Sequence, residues 1–403
     1  MINSKGMNSG LIQEFEQELS NILGYWSSVA IDTQNGGFYG QIENDNSIAE
    51  GADKGSVLNA RILWFLSSAY NYSRLPEDLE LARRSYEYLS HYFIDREFGG
   101  VYWSIDANGK PRDTKKQVYA IAFAIYGLAE FYKASHDEQA LNLAKALYGD
   151  LEKHSFDPIK HGYFEAFSRD WSTLEDQRLS DKDANEKKTM NTHLHVLEAY
   201  SNLYSIWPND GLRRQLENLL AVFGHRIIDT HTHHLKLFFD ENWQSKSQAV
   251  SFGHDIEASW LLLEAAEMIG DGLLVEQYVK IAVQMVDAAI KGFDDNGGLN
   301  YEMEKGHLNG EKHWWVQAEA LVGLYNAFQL TGEKDYKDQF DRCWTFVKEN
   351  LIDHQNGEWF WGVNKDNSLM PGQYKVGLWK CPYHNGRACL ELISRMTQKD
   401  GVD

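Results

Sequence analysis

A chain of 403 residues with 43% hydrophobic and 24% charged residues has the balance of a protein that buries a large core in water. Its formal net charge of −20 argues against nucleic acid or an anionic membrane as partner, since both need clustered Lys and Arg. No run of about 18 apolar residues exists, the N-terminal MINSKGMNSGLIQEFEQELS lacks an apolar h-region, and Cys343, Cys381 and Cys389 form no disulfide framework; a cytoplasmic location is expected.

The predicted elements alternate. Residues 1–10 read as a flexible tail. A glycine–aromatic loop, NGGFYG at 35–40, leads into an apolar helix at 57–72, VLNARILWFLSSAYNY. A charged amphipathic helix at 80–94 follows, then a second loop, FGGVYW at 98–103, and a second apolar helix, VYAIAFAIYGLAEFYKA at 118–134. The same alternation runs on through HGYFEAF (161–167) and the apolar stretch 192–207, then through a degenerate copy, HHLKLFF (233–239), and the apolar stretch 256–270. A charged amphipathic helix at 276–293 precedes NGGLNYE (296–302) and the apolar stretch 315–330; NGEWFWGV (356–363) and the apolar stretch 383–396 complete the series. Successive loops lie roughly 60 to 70 residues apart.

Self-similarity at a fixed period is the mark of a repeated supersecondary unit. Six helices apolar around most of their circumference belong inside, and six with one charged face belong outside. The expected fold is all-α: an (α/α)6 barrel of twelve helices with short β-hairpin-like loops at one mouth. No Pro-, Gly- or Ser-rich linker interrupts the repeat, so 1–403 reads as one domain.

In such a barrel, polar residues in the first turns of the inner helices face one cavity. Arg61, Tyr119, Asn191 with His195, His254 with Glu257, Trp314 and Trp315 with Glu319, and Trp379 with His384 and Arg387 occupy those positions. Glu257 follows His254 by three residues, a spacing that puts both on one helix face and suits a carboxylate orienting a base. Glu319, in an apolar helix, needs a partner if buried. The aromatic richness, 13 Trp, 21 Tyr and 19 Phe, fits either a large core or a cleft whose rings stack on sugars.

TMNTHLHVLEAY at 189–200 holds His193 and His195. At about 100° per residue they point to nearly opposite sides, so they do not chelate one metal. His193 falls on the face of Val196, Leu197 and Tyr200 and reads as a packing residue; His195 reads as the site histidine. HTHHL at 231–235 is expected on the surface. No HExxH or paired CxxC is present, and no metal site is expected. Cys381 precedes His384 by three residues but reads as an inert buried thiol.

The motifs ADKGSVLNARILWF, KKTMNTHLHVLEAY, SFGHDIEASWLLLEAAE, WWVQAEALVGLYNA and WKCPYHNGRACLELI together resemble the N-acylglucosamine 2-epimerase superfamily, and within it the cellobiose 2-epimerase group. The resemblance implies epimerisation at C2 of a reducing sugar, with mannose 2-epimerases and mannose–fructose isomerases sharing the site. It implies His254 and His384 as the acid–base pair, His195 as a further histidine near O1, and Arg61 as a donor to the sugar oxygens. Tyr119, Asn191, Glu257, Trp315 and Trp379 would orient or stack on the sugar, and Asp183 matches a loop carboxylate. A small-molecule sugar is the expected partner, with no cofactor, metal, nucleic acid or membrane, and the chain is expected to act as a monomer. A glycoside hydrolase using Glu257, Glu319 and Asp183 is the rival from another reaction class; a sugar-binding barrel without catalysis is a third reading.

Overall fold

The helices of the computed structural model, which describes residues 4–398, are α1 (Ser4–Trp26), α2 (Ser56–Ser73), α3 (Pro76–Tyr92), α4 (Val118–Ser135), α5 (Glu138–His154), α6 (Met190–Ile206), α7 (Asp210–Val222), α8 (Phe252–Ile269), α9 (Gly272–Ala289), α10 (Trp314–Thr331), α11 (Lys334–Asn350) and α12 (Tyr383–Gln398). Residues 1–3 of the expected tail lie outside the described residues, and α1 already begins at Ser4.

Side-chain pattern decides which ring each helix joins. In α4 every residue from 118 to 131 is buried. In α5 only Ala140, Leu141, Ala144, Leu147 and Leu151 are buried, one stripe at helical spacing. The even-numbered helices form the inner ring: α2 packs on α4, α4 on α6, α6 on α8, α8 on α10, α10 on α12, and α12 returns to α2. The outer helices carry conventional stops and starts. Asp137, Asn209 and Asp271 cap α5, α7 and α9 through their side chains, and Pro76 opens α3. No helix among the described residues is long and apolar enough to cross a membrane.

Each copy of the loop repeat makes the same bridge: Ile31 with Phe38, Ile94 with Val101, Phe156 with Tyr163, Ile228 with Leu235, Phe293 with Leu299, and Ile352 with Trp359. The degenerate copy therefore keeps the turn, with His233 held at φ 61° where four copies place glycine and the copy at 161–167 places His161 at φ 62°. The extended segments differ from simple hairpins. Among the described residues, two strand pairs are local, Ser104–Ile105 with Pro111–Asp113 and Glu302–Glu304 with His307–Asn309, beside single bridges such as Ile42 with Ile48. Most pairings join one module to the next, as Lys54–Gly55 does with Ser104–Ile105 and Lys188–Thr189 with Phe238–Phe239. Ile42–Glu43 pairs with Tyr374–Val376, so the first loop and the last close the ring.

An ion-pair repeat runs beneath these strands. Lys54, Lys116, Lys188, Lys312 and Lys375 are buried and reach Asp32, Asp95, Asp157, Asp294 and Asp353 at 2.5–2.8 Å. Each aspartate also accepts backbone N–H groups of its own turn, as Asp157 does from Ile159 and Lys160. The strand before α8 has Val250 at the lysine position, and Asp229 has only Lys236 at 3.6 Å.

Candidate active site

The loop pairing fixes the N-terminal turns of the inner helices around one axis, and the polar residues there meet at Arg387 of α12. Its guanidinium is 1% exposed. Nη2 donates to Glu319 Oε1 at 2.6 Å and to Glu257 Oε1 at 3.0 Å, while Nη1 reaches Glu198 and the Tyr383 hydroxyl. One cation thus ties α6, α8, α10 and α12 together. Burial acts to raise the Glu198 carboxyl, but Arg387 and His195 outweigh it and hold it at about 2. Burial, then the neighbouring Glu319, pushes Glu257 well above the ordinary carboxylate range; burial also raises Glu319.

Three histidines surround this cluster, each anchored through Nδ1. His384 Nδ1 lies 2.6 Å from Glu319 Oε1, His195 Nδ1 lies 2.9 Å from Glu198 Oε2, and His254 Nδ1 lies 2.7 Å from Ser251 Oγ. An ionised carboxylate only accepts, so Nδ1 of His384 and of His195 carries the proton and Nε2 is left with a lone pair. Burial lowers all three imidazoles below their ordinary value, with Arg61 and Arg387 adding to the effect at His384. They rest neutral near pH 7.

Ring contacts join the rest. Trp315 lies 4.7 Å from His254 and 5.7 Å from His384, centroid to centroid. Tyr383 lies 4.6 Å from His384 and 6.4 Å from His195. Tyr119 lies 5.0 Å from His195 and 6.1 Å from Trp379, and its hydroxyl accepts from Arg61 Nη2 at 2.7 Å. Arg61 stacks over Phe123 and Tyr383. Asn191 Oδ1, one turn before His195, is buried without a protein hydrogen bond.

His195, His254, His384, Arg61, Tyr119, Glu257, Trp315 and Trp379 are therefore brought together, with Asn191 on the same face of α6. Asp183 is tied instead to its own loop, accepting from Ser180 N at 2.8 Å and Ser180 Oγ at 3.0 Å.

Glu257 does not orient His254. It lies one turn deeper in α8, where Arg387 draws its carboxylate, and its Oε1 is 3.9 Å from His384 Nδ1. The orienting carboxylate is Glu319, and the histidine it orients is His384. Ser251, Glu198 and Tyr383 are absent from the sequence-derived set. Glu198 had a signal: it follows His195 by three residues, as Glu257 follows His254. Three glutamates in apolar helices also demand a buried cation, which Arg387 supplies.

His193 packs as expected. It is fully buried; Nε2 accepts the Tyr163 N–H at 2.8 Å and Nδ1 donates to Thr189 O at 2.6 Å. The surface expectation for 231–235 is corrected at His234, whose Nδ1 lies 2.6 Å from Oδ2 of the buried Asp255. Cys381 is buried and its thiol is raised by that burial. Ligand atoms of Glu257, Glu319 and His384 lie within 4.8 Å of one another, as a metal site requires. Arg387 already donates to both carboxylates, so a cation there competes with an internal one.

The closed (α/α)6 barrel thus carries three Nδ1-anchored histidines and two buried arginines among its inner helices. The chain matches the family model for N-acylglucosamine 2-epimerase (GlcNAc 2-epimerase) over residues 37–388 and belongs to that family, which makes it an isomerase of the epimerase type. It is 51% identical over 390 residues to the cellobiose 2-epimerase of Bacteroides fragilis, covering 96% of this chain and 100% of that one. The structure of cellobiose 2-epimerase from Spirochaeta thermophila superposes with a TM-score of 0.93 at 37% identity, over 99% of this chain and 100% of that one. That from Bacillus thermoamylovorans gives 0.92 at 37% identity, over 96% and 100%.

Proposed function

We propose that this chain is a cellobiose 2-epimerase, interconverting glucose and mannose at the reducing end of β-1,4-linked disaccharides such as cellobiose and lactose. The observation that carries the reading is the placement of His254 and His384 against one indole, Trp315, each with Nδ1 engaged and Nε2 free. Two such nitrogens beside one ring are what removal and return of a proton on opposite faces of a carbon require.

The ring first opens to the aldehyde. From the gluco side, the C2–H bond breaks and its proton goes to Nε2 of His384. The electron pair becomes the C1=C2 bond of a cis-enediolate, with charge on O1 and O2. That charge favours proton uptake by His254, and its imidazolium returns a proton from Nε2 to the other face of C2 as the C1 carbonyl reforms. His384 ends protonated and His254 neutral, and exchange with solvent resets the pair. Arg61 is assigned to the oxyanion, where one preorganised donor is worth about 3–4 kcal/mol; His195 is assigned a place near O1, its Nε2 lone pair accepting the O1–H of the closed ring. Trp315 and Trp379 stack on the sugar, Tyr119 and Asn191 orient it, and Asp183 is a loop carboxylate of the site. No electron leaves or enters the substrate, so the balance needs no redox partner. One continuous hydrophobic core, with members from α1 to α12, supports treating the chain as one catalytic unit.

The test is turnover of cellobiose in D2O. Deuterium appears at C2 of the mannosyl product with the glycosidic bond intact; release of glucose, or no deuterium at C2, overturns the reading.

A further inference from the structure

His195 and His384 are each backed by a glutamate, and His254 is backed by a hydroxyl. Ser251 stands at the N-cap of α8, the position at which a serine ordinarily accepts from the helix N–H groups. Here it makes no cap hydrogen bond. Thr189, at the matching position of α6, does cap, accepting from Thr192 N. The Ser251 side chain is instead directed three residues on, to His254 Nδ1, and is fully buried. Its backbone is held independently, because Ser251 pairs with Glu302 in the adjoining strand.

We propose that Ser251 is a positioning residue for one proton-transfer face of the reaction: its hydroxyl fixes Nδ1 of His254 so that Nε2 serves C2 from that side alone. The proposal rests on the epimerase reading given above. A hydroxyl both accepts and donates. It accepts the Nδ1–H of His254 whether Nε2 is a lone pair about to take the C2 proton or an N–H about to return one. No covalent bond to Ser251 forms or breaks. Without the hydroxyl the ring is free to rotate, and Nε2 of His254 is no longer aimed at C2.

This assignment has a consequence that general damage to the site does not share. Slowing only the His254 transfers leaves the His384 transfers untouched. Starting from cellobiose, the enediolate then returns to substrate more often than it goes forward. Starting from the mannosyl epimer, the enediolate once formed goes forward almost always.

The experiment compares wild type with Ser251→Ala in D2O at initial rates, from cellobiose and from its C2 epimer. In each direction the quantity read is deuterium entering recovered substrate divided by product formed. Ser251→Ala is expected to raise this ratio from cellobiose and lower it from the epimer, each about tenfold or more, with kcat falling and KM nearly unchanged. That is part of the about 10²–10⁴-fold that a positioned proton transfer contributes. Ser251→Thr, which keeps the hydroxyl, is expected to restore the wild-type ratios. Should Ser251→Ala not fold, Thr and Val at this position match in shape, differ in the hydroxyl, and carry the same comparison. Ratios that stay unchanged, or that move the same way from both sugars, overturn the proposal. A wild-type protein that places no deuterium at C2 of either sugar overturns the epimerase reading itself, before any variant is compared.

Discussion

Glu319 Oε1 accepts from His384 Nδ1 at 2.6 Å, and the same oxygen accepts from Arg387 Nη2 at 2.6 Å. The carboxylate that fixes the acid–base histidine is therefore itself fixed by the cation at the barrel centre. Glu319→Gln keeps the volume but offers His384 an amide that can present its NH2 group to Nδ1, favouring the tautomer with Nε2 protonated. The expected result is a fall in kcat of about 10²- to 10⁴-fold with the helical circular dichroism unchanged. A variant within threefold of wild type would remove Glu319 from the mechanism.

His195 and His193 separate function from stability. His195→Ala deletes the Nε2 acceptor assigned to the sugar and is expected to lower kcat/KM by about 10²- to 10³-fold while the melting temperature changes little. His193→Ala strands the Tyr163 N–H and opens a cavity in a fully buried position, so it is expected to destabilise by about 2–4 kcal/mol. Denaturant unfolding and initial rates on the two variants decide it; the reverse pattern overturns both assignments.

Much of this was legible in the sequence because it repeats or periodically alternates. The six inner helices lie where the apolar runs do, and opposite faces for His193 and His195 followed from helical geometry alone. What the sequence hid is contact between helices. Glu257 and His254 share a face of α8, but which carboxylate meets which histidine depends on depth in the barrel and on Arg387, 130 residues away from Glu257. The Ser251–His254 bond hid for a related reason: the residue type suits an N-cap, and in the fold the hydroxyl turns to Nδ1 of His254 instead. The degenerate loop at 233–239 looked broken because it holds no glycine; His233 takes the left-handed position, as His161 does one copy earlier, and the bridge of Ile228 with Leu235 still forms.

Acid stability follows from His193. Burial lowers its imidazole from 6.5 to about 3 in the folded chain. As pH falls below about 6.5 the unfolded chain takes up a proton that the folded chain refuses, so this contribution is complete above 6.5 and is lost progressively toward 3. Each pH unit inside that window is worth about 1.4 kcal/mol for one group. His193→Gln removes the titration, so the stability gap between wild type and variant is expected to narrow by about 2 kcal/mol between pH 6.5 and pH 5. Urea unfolding at the two pH values measures it, and a gap independent of pH contradicts a neutral buried His193.

The buried Lys–Asp pairs predict how the mouth is held. Lys188 Nζ lies 2.8 Å from Asp157 Oδ2 and also donates to His161 O at 2.8 Å, so one ammonium joins the strand before α6 to the turn that precedes it. Lys188→Met leaves the carboxylate of Asp157 buried beside an apolar chain, and removing one partner of such a pair costs about 3–5 kcal/mol. Asp157→Asn in the same chain removes the stranded charge, and the double variant is expected to recover part of the loss. Val250 shows that a module tolerates an apolar residue at the lysine position when its aspartate is solvated: Asp229, with Lys236 at 3.6 Å, is about a third exposed, whereas Asp157 is not. The predicted order of stability is wild type, then the double variant, then Lys188→Met, read from denaturant midpoints at constant m. Because α6 carries His195 in its second turn, the single variant should also lose activity beyond its loss of folded protein, and the double variant should regain it in step with the midpoint. A single variant as stable as wild type would show that backbone pairing alone, Lys188 with Phe239 and Thr189 with Phe238, holds the mouth.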